Sequence, residues 1–180
     1  IIFLYSNIAN SQVGEETGLK IPRYVSLKSN DANLRVGPSV NYPIVIKFIK
    51  KNYPLKIIEE HDEWRKIQDF KKNSGWIHKS LISGIRNGVI ISDSTEGATA
   101  YNTINGRVIG NIGNGNIVKI NKCKSDWCLI SFEDNYSGWV NKLNLWGVEP
   151  KEEYKINYFQ KFEDIYWQSI NYLNSLLKEN

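Results

Sequence analysis

The chain has 180 residues, of which 41% are hydrophobic, and a formal net charge of +4. That length and composition suit one folded domain or two small ones. No window approaches the 18 or more apolar residues of a membrane-spanning helix, and the two His fall in no metal-ligand motif, so helical membrane proteins and His-based metalloenzymes are not expected.

The first residues read IIFLY and then NIANSQ. They fit the end of a secretory signal, with small residues Ala9 and Ser11 ahead of a cut before Gln12, and equally an ordinary apolar segment. Residues 1–22 are set apart as an N-terminal segment. Short strands at a spacing of about ten residues follow. They are predicted over 24–27, 32–36, 44–49, 55–60, 64–70 and 74–78, divided by turn residues such as Gly37-Pro38-Ser39, Asn41-Tyr42-Pro43 and Asn52-Tyr53-Pro54. The same order recurs over 88–91, 98–102, 107–112, 116–120, 127–132 and 137–141.

This recurrence is an internal repeat. WRKIQDFKKNSGW at 64–76 and WCLISFEDNYSGW at 127–139 share a Trp, an Ile three residues on and a closing Ser-Gly-Trp, at an offset of 63 residues that also aligns Lys79 with Lys142. Two small domains are expected, over 23–86 and 87–149, since solenoid repeats run at about 20 to 50 residues. Evenly spaced short strands of this kind form small barrels or sandwiches. The copies differ in charge. Residues 19–88 hold fourteen Lys and Arg against six Asp and Glu, a net of +8, whereas residues 89–150 hold five against six. The basic copy suits an anionic partner; a solvated basic surface is the plainer alternative.

Cys123 and Cys128 flank Lys-Ser-Asp-Trp between two apolar runs. If these runs pair as a hairpin, the two sulfurs face each other within bridging distance, and a disulfide would pin the register. An oxidising compartment, periplasmic or secreted, is then favoured. From 151 to 178 there is no Gly or Pro, and Phe159, Phe162, Tyr166, Ile170, Leu173 and Leu177 step by three or four, the stripe of an amphipathic C-terminal helix over 150–180.

ANLRVGPSVNYPI, NYPLKIIEEHDEWRKI and SGWIHKSLISGIRNGVII in the first copy resemble bacterial SH3-like (SH3b-type) domains of secreted and periplasmic proteins. INKCKSDWCLISFEDNYSGWVNKLNLWGV resembles the second domain of a two-domain subgroup of that family, which pairs a C-x4-C around Trp with a terminal LWGV. The resemblance spans about residues 23–149. It implies a mainly β fold of two tandem SH3-like β-barrels followed by the C-terminal helix, in an exported, non-enzymatic protein that binds a cell-wall or peptide ligand. The second copy departs from the pattern: Ala98 to Asn102 stand where the first has Asn33 to Gly37, without the Arg and the Gly-Pro.

Four residues of the first copy are the candidate ligand contacts. Arg35 in its Gly-Pro loop suits bidentate pairing with a carboxylate or phosphate, or braces its own loop against Asp31. Tyr42 and Tyr53 lie in Pro-containing turns present in that copy only and form either a stacking surface for an extended peptide or sugar, or filling at the barrel corners. Trp64 is the groove candidate, because Trp76 and Trp139 read as shared framework. Lys47, Lys50, Lys51, Lys56, Lys66, Lys71 and Lys72 supply the charge, but nothing places them on one face with aromatics, so nucleic acid is not the expected partner. No cofactor and no metal are expected. A cysteine nucleophile would need an adjacent His, and His61 and His78 read as surface or turn residues. The leading expectation is a non-catalytic adaptor for peptidoglycan, a peptide or an anionic polymer, present as a monomer or dimer. The alternative is a structural protein whose C-terminal helix recruits a protein partner.

Overall fold

The computed structural model describes residues 12–132 and 136–155. The chain opens with a small hairpin, β1 (Gln12–Val13) and β2 (Lys20–Ile21). The first module then runs through β3 (Arg23–Leu27), β4 (Ala32–Arg35), β5 (Ile44–Phe48), β6 (Pro54–His61), β7 (Trp64–Gln68), β8 (Ser74–His78), a 3-10 turn (Lys79–Leu81) and β9 (Ile82–Ser83). The second comprises β10 (Asn87–Ile90), β11 (Ala98–Tyr101), β12 (Val108–Ile112), β13 (Ile117–Lys124), β14 (Trp127–Phe132), β15 (Tyr136–Asn141), a 3-10 turn (Lys142–Asn144) and β16 (Leu145–Trp146). A last strand, β17 (Tyr154–Lys155), lies against β13.

Each module is one antiparallel sheet with the same path. The first is ordered β5-β4-β8-β7-β6-β3-β9 and the second β12-β11-β15-β14-β13-β10-β16. Side chains alternate across the pleat, so Arg65 and Ile67 of β7 point inward while Trp64, Lys66 and Gln68 point outward. Every strand from β3 to β9 sends residues into one cluster that includes Leu27, Leu34, Leu55, Ile57, Ile67, Ile77 and Ile82. The sheet therefore curls around a single core. Ile90, Ile120, Ile130, Val140 and Leu145 build the equivalent second core.

The expected barrels are not closed. No ladder joins β5 to β9, nor β12 to β16. The closing strand β9 has only two residues, Ile82 and Ser83, which pair with Leu27 and Ser26 of β3. The C-terminal helix expected over 150–180 is also not found where the chain is described. Glu149–Glu152 closes a turn, with the Glu152 amide donating to the Glu149 carbonyl at 3.0 Å, and Tyr154 and Lys155 are extended. Residues 156–180 lie outside the described part, as do 1–11, where the signal cut was expected.

The modules touch through polar and aromatic contacts. Asn87 donates to the buried Ser26 hydroxyl at 2.9 Å, and Lys56 pairs with Glu149 at 2.7 Å. The Trp146 ring stands edge-on to Tyr24 at 5.2 Å. Arg86, in the connection between β9 and β10, forks onto the Glu152 carboxylate and lies over the Tyr24 and Tyr154 rings at 5.4 and 5.1 Å.

Candidate functional site

The outward pleat of β6, β7, β8 and β4 collects aromatic and cationic side chains on one face of the first module. Across these strands His61 pairs with Trp64 and Trp64 with His78, while Glu59 pairs with Lys66, Lys66 with Trp76, and Trp76 with Arg35. Two parallel rows result. The Trp64 ring meets the His78 imidazole edge-on at 5.4 Å, His61 meets Trp76 at 6.2 Å, and the Lys66 ammonium sits 5.8 Å from the Trp76 ring centre. Lys66 is also paired with Glu59 at 2.9 Å. Trp76 is buried, only 8% exposed, but lies outside the main apolar cluster, covered on the outer face by His61 and Lys66.

Arg35 holds its own loop. Its Nη1 donates to the Tyr42 carbonyl at 2.7 Å, while Asp31, the expected brace, pairs with Lys47 at 3.1 Å. The Tyr42 ring lies flat over Gly37, where an added Cβ would come within 2.7 Å of it. Arg35 and Tyr42 thus form one rim of the face, beside Trp76, and Trp64 lies a row away. Tyr53 is elsewhere. Its ring packs on Phe48 and Phe70 at 5.0 and 5.8 Å, and its hydroxyl donates to Asp69 at 3.3 Å. Burial, and then the neighbouring Asp69 carboxylate, push its phenol well above the ordinary value. It serves as corner filling and does not reach the face of Trp64.

The lysines form no single patch. Lys47 and Lys66 border the face, Lys56 is engaged at the module junction, and Lys71 lies over Phe70. His61 and His78, expected as surface or turn residues, both stand on this outer face. Alternation along β6 to β8 places positions 61, 64 and 78 on one side of the sheet and in register. His78 also accepts from the Ser80 amide through Nδ1 at 3.3 Å, capping the 3-10 turn.

Behind this face lies a buried acid. The Glu60 side chain, 1% exposed, accepts from Arg23 at 2.6 Å and from the Thr17 amide and hydroxyl at 3.0 and 2.8 Å, with Arg65 Nε 3.5 Å away. Burial pushes its carboxyl up, but Arg23 and Thr17 outweigh that and hold it below the usual carboxylate range. Through this residue the N-terminal hairpin is tied to the first sheet.

In the second module the hairpin forms as expected. Cys123 and Cys128 are direct partners, and their sulfurs are bonded with Cα atoms 4.1 Å apart. Tyr101 pairs with Trp139 as Arg35 pairs with Trp76, so the position of Arg35 is taken by an aromatic ring that meets Trp127 at 5.3 Å.

Comparison with known proteins agrees with the repeat. A family model described as bacterial SH3 domain matches residues 28–84 and 104–147, more than half of the chain. No curated protein matches it. Two solved structures are similar: NlpC2 from Trichomonas vaginalis, 13% identical over 69% of this chain and 47% of that chain at a TM-score of 0.29, and NlpC1 from the same organism, 14% identical over 79% and 50% at 0.29. The chain spans about half the length of either structure.

Proposed function

Because the chain belongs to the bacterial SH3 domain family, we propose that it is a non-catalytic, exported binding or adaptor protein whose first module recognises an anionic or peptide-like ligand of the cell envelope. One observation carries this reading: the outer face of the first sheet sets the part-exposed Trp64 ring among His61, His78, Lys66 and Arg35, over a buried Trp76, on a module of net +8. Aromatic faces stack on sugar or peptide planes, and the neighbouring cations attract carboxylates or phosphates. The Cys123–Cys128 bond supports export, since such bonds persist in oxidising compartments.

The full chain should be retained by purified peptidoglycan at moderate salt, and Trp64→Ala should reduce retention at least tenfold. Trp64 suits this test because it is partly exposed and outside the core cluster. Retention no greater than that of a charge-matched control protein would overturn the reading.

A further inference from the structure

The second module has an apolar cavity that the first module fills with its own side chains. Strands β4 and β11 correspond residue for residue, because Arg35 and Tyr101 occupy the same pairing position and the bulge falls at the same step in both hairpins. Leu34, fully buried and paired with Ile46, therefore corresponds to Ala100, paired with Gly110. Leu34 packs so closely that a Cβ on Gly75 would come within 2.8 Å of its Cγ, and Ile46 lies against the same core. In the second module these two side chains are reduced to a methyl group and a hydrogen.

The turn beside this space changes as well. In the first module Asp69 seals it, accepting from the Lys71 and Asn73 amides at 2.9 and 2.8 Å and from Asn73 Nδ2 at 2.8 Å. Ile67 faces Gly75 as Ile130 faces Gly138, so the positions of Asp69 and Asn73 become Phe132 and Tyr136. A polar clasp is replaced by two rings. The result is a cavity of about 280 Å³ lined chiefly by Ala100, Ile109, Gly110, Ile130, Phe132 and Tyr136.

We propose that this cavity is a peptide-binding site that takes one branched aliphatic side chain from an extended segment of a partner protein. The first module defines the occupant, since the same space there holds Leu34 and Ile46. The extended form follows from β12, which among the described residues is an edge strand paired with β11 alone and so offers its outer ladder to another strand. Val108 and Ile109 at that edge are 54% and 50% exposed, which suits an apolar neighbour. Charge favours a neutral or basic segment. Asn111 at the cavity wall donates to Glu96 at 2.8 Å, so a carboxylate stands beside the opening, and residues 89–150 carry one more acid than base. This site is separate from the face of Trp64 and does not depend on it.

Selection of random dodecapeptides displayed on phage against the immobilised full chain, counter-selected against an Ala100→Leu variant, tests the proposal. Leu at 100 restores the residue the first module uses, and circular dichroism confirms that the variant is folded. The expected result is a set of peptides sharing one Leu, Ile or Val, with neutral or basic neighbours, that bind the variant at least tenfold more weakly and shift the Ile109 and Ile130 methyl resonances. Should Ala100→Leu unfold, those methyl shifts and a tenfold loss on replacing the shared aliphatic residue by Ala decide alone. No enriched peptide, or enriched peptides that bind the variant equally or leave those methyls unmoved, would overturn it.

Discussion

Glu60 stands directly opposite Arg65 across β6 and β7, at the register position where Cys123 stands opposite Cys128 across β13 and β14. The two modules join the same pair of strands at the same place by different chemistry, an ion pair in one and a covalent bond in the other. Each pair is also covered by a terminal segment. The hairpin of β1 and β2 reaches Glu60 through Thr17, and β17 pairs with Cys123 through Tyr154.

Exchange of the linkage should therefore succeed. Glu60→Cys with Arg65→Cys is expected to form an intramolecular disulfide on air oxidation, read as unreactive thiols by alkylation and mass spectrometry. Two freely alkylated thiols in the folded double variant would show that the sites are not geometrically equivalent.

Removing the charge alone should be costly. Glu60→Gln leaves Arg23 and Arg65 facing a neutral group under the N-terminal hairpin, and a loss of about 3 kcal/mol in chemical denaturation is expected, the scale for breaking one side of a buried pair. The acid response should change too. Because the folded carboxyl lies below its ordinary value, the unfolded chain binds more protons. Stability from this group is full above the unfolded value of about 4.3 and disappears as pH falls through the lower folded value. A Tm series from pH 7 to pH 2 should fall less steeply in Glu60→Gln than in the parent.

The Tyr53 phenol gives the opposite case at alkaline pH. Its folded value is raised, first by burial and then by Asp69, so the neutral form is favoured in the fold. Its contribution is intact below the unfolded value of about 10 and is lost as pH rises toward the folded one. Absorbance titration of the ten tyrosines should show a delayed component that Tyr53→Phe reduces. An unaltered delayed amplitude would contradict this.

The module junction should depend on Arg86 more than on its surface ion pair. Arg86→Ala removes the fork onto Glu152 and the cation from between two Tyr rings, and a loss on the order of 2 kcal/mol is expected, since a partly buried carboxylate loses its charged donor. Glu149→Gln, which loosens only the exposed end of the Lys56 pair, should cost less than about 1 kcal/mol. Faster amide exchange at Asn87 and Ser26 in the first variant only would locate the effect.

Much of this architecture is legible in the sequence, because alternation and turn residues mark strands directly. The Trp-to-Trp repeat places β7, β8, β14 and β15, and the cysteine spacing anticipates the hairpin of β13 and β14. What escapes is register. The offset of 63 residues holds from β6 onward, but β4 and β11 are 66 apart and β5 and β12 are 64 apart, since the loops before and within the hairpin differ in length. Aligning Ala98 with Asn33 therefore slips by one residue, which in a strand exchanges the inner and outer faces. That slip hides the replacement of Leu34 by Ala100 and of Arg35 by Tyr101. Arg35 braces its loop through the Tyr42 backbone carbonyl and not through Asp31, a partner that residue types do not reveal. The tail does not turn helical at its start because β13 offers an edge at Lys122 and Cys123, with which Lys155 and Tyr154 pair, a contact that local periodicity does not reveal.

The short connection from Ser83 to Asn87, anchored at Arg86, has a consequence for any long ligand. A polymer or protein that engages the face of Trp64 and also offers an aliphatic side chain to the cavity beside Ala100 would meet two sites tethered to each other in one chain. The second contact is then intramolecular, and its strength is set by an effective concentration and not by the bulk amount of ligand. Weak individual contacts would together give slow release from an extended partner and rapid exchange on a short fragment of it.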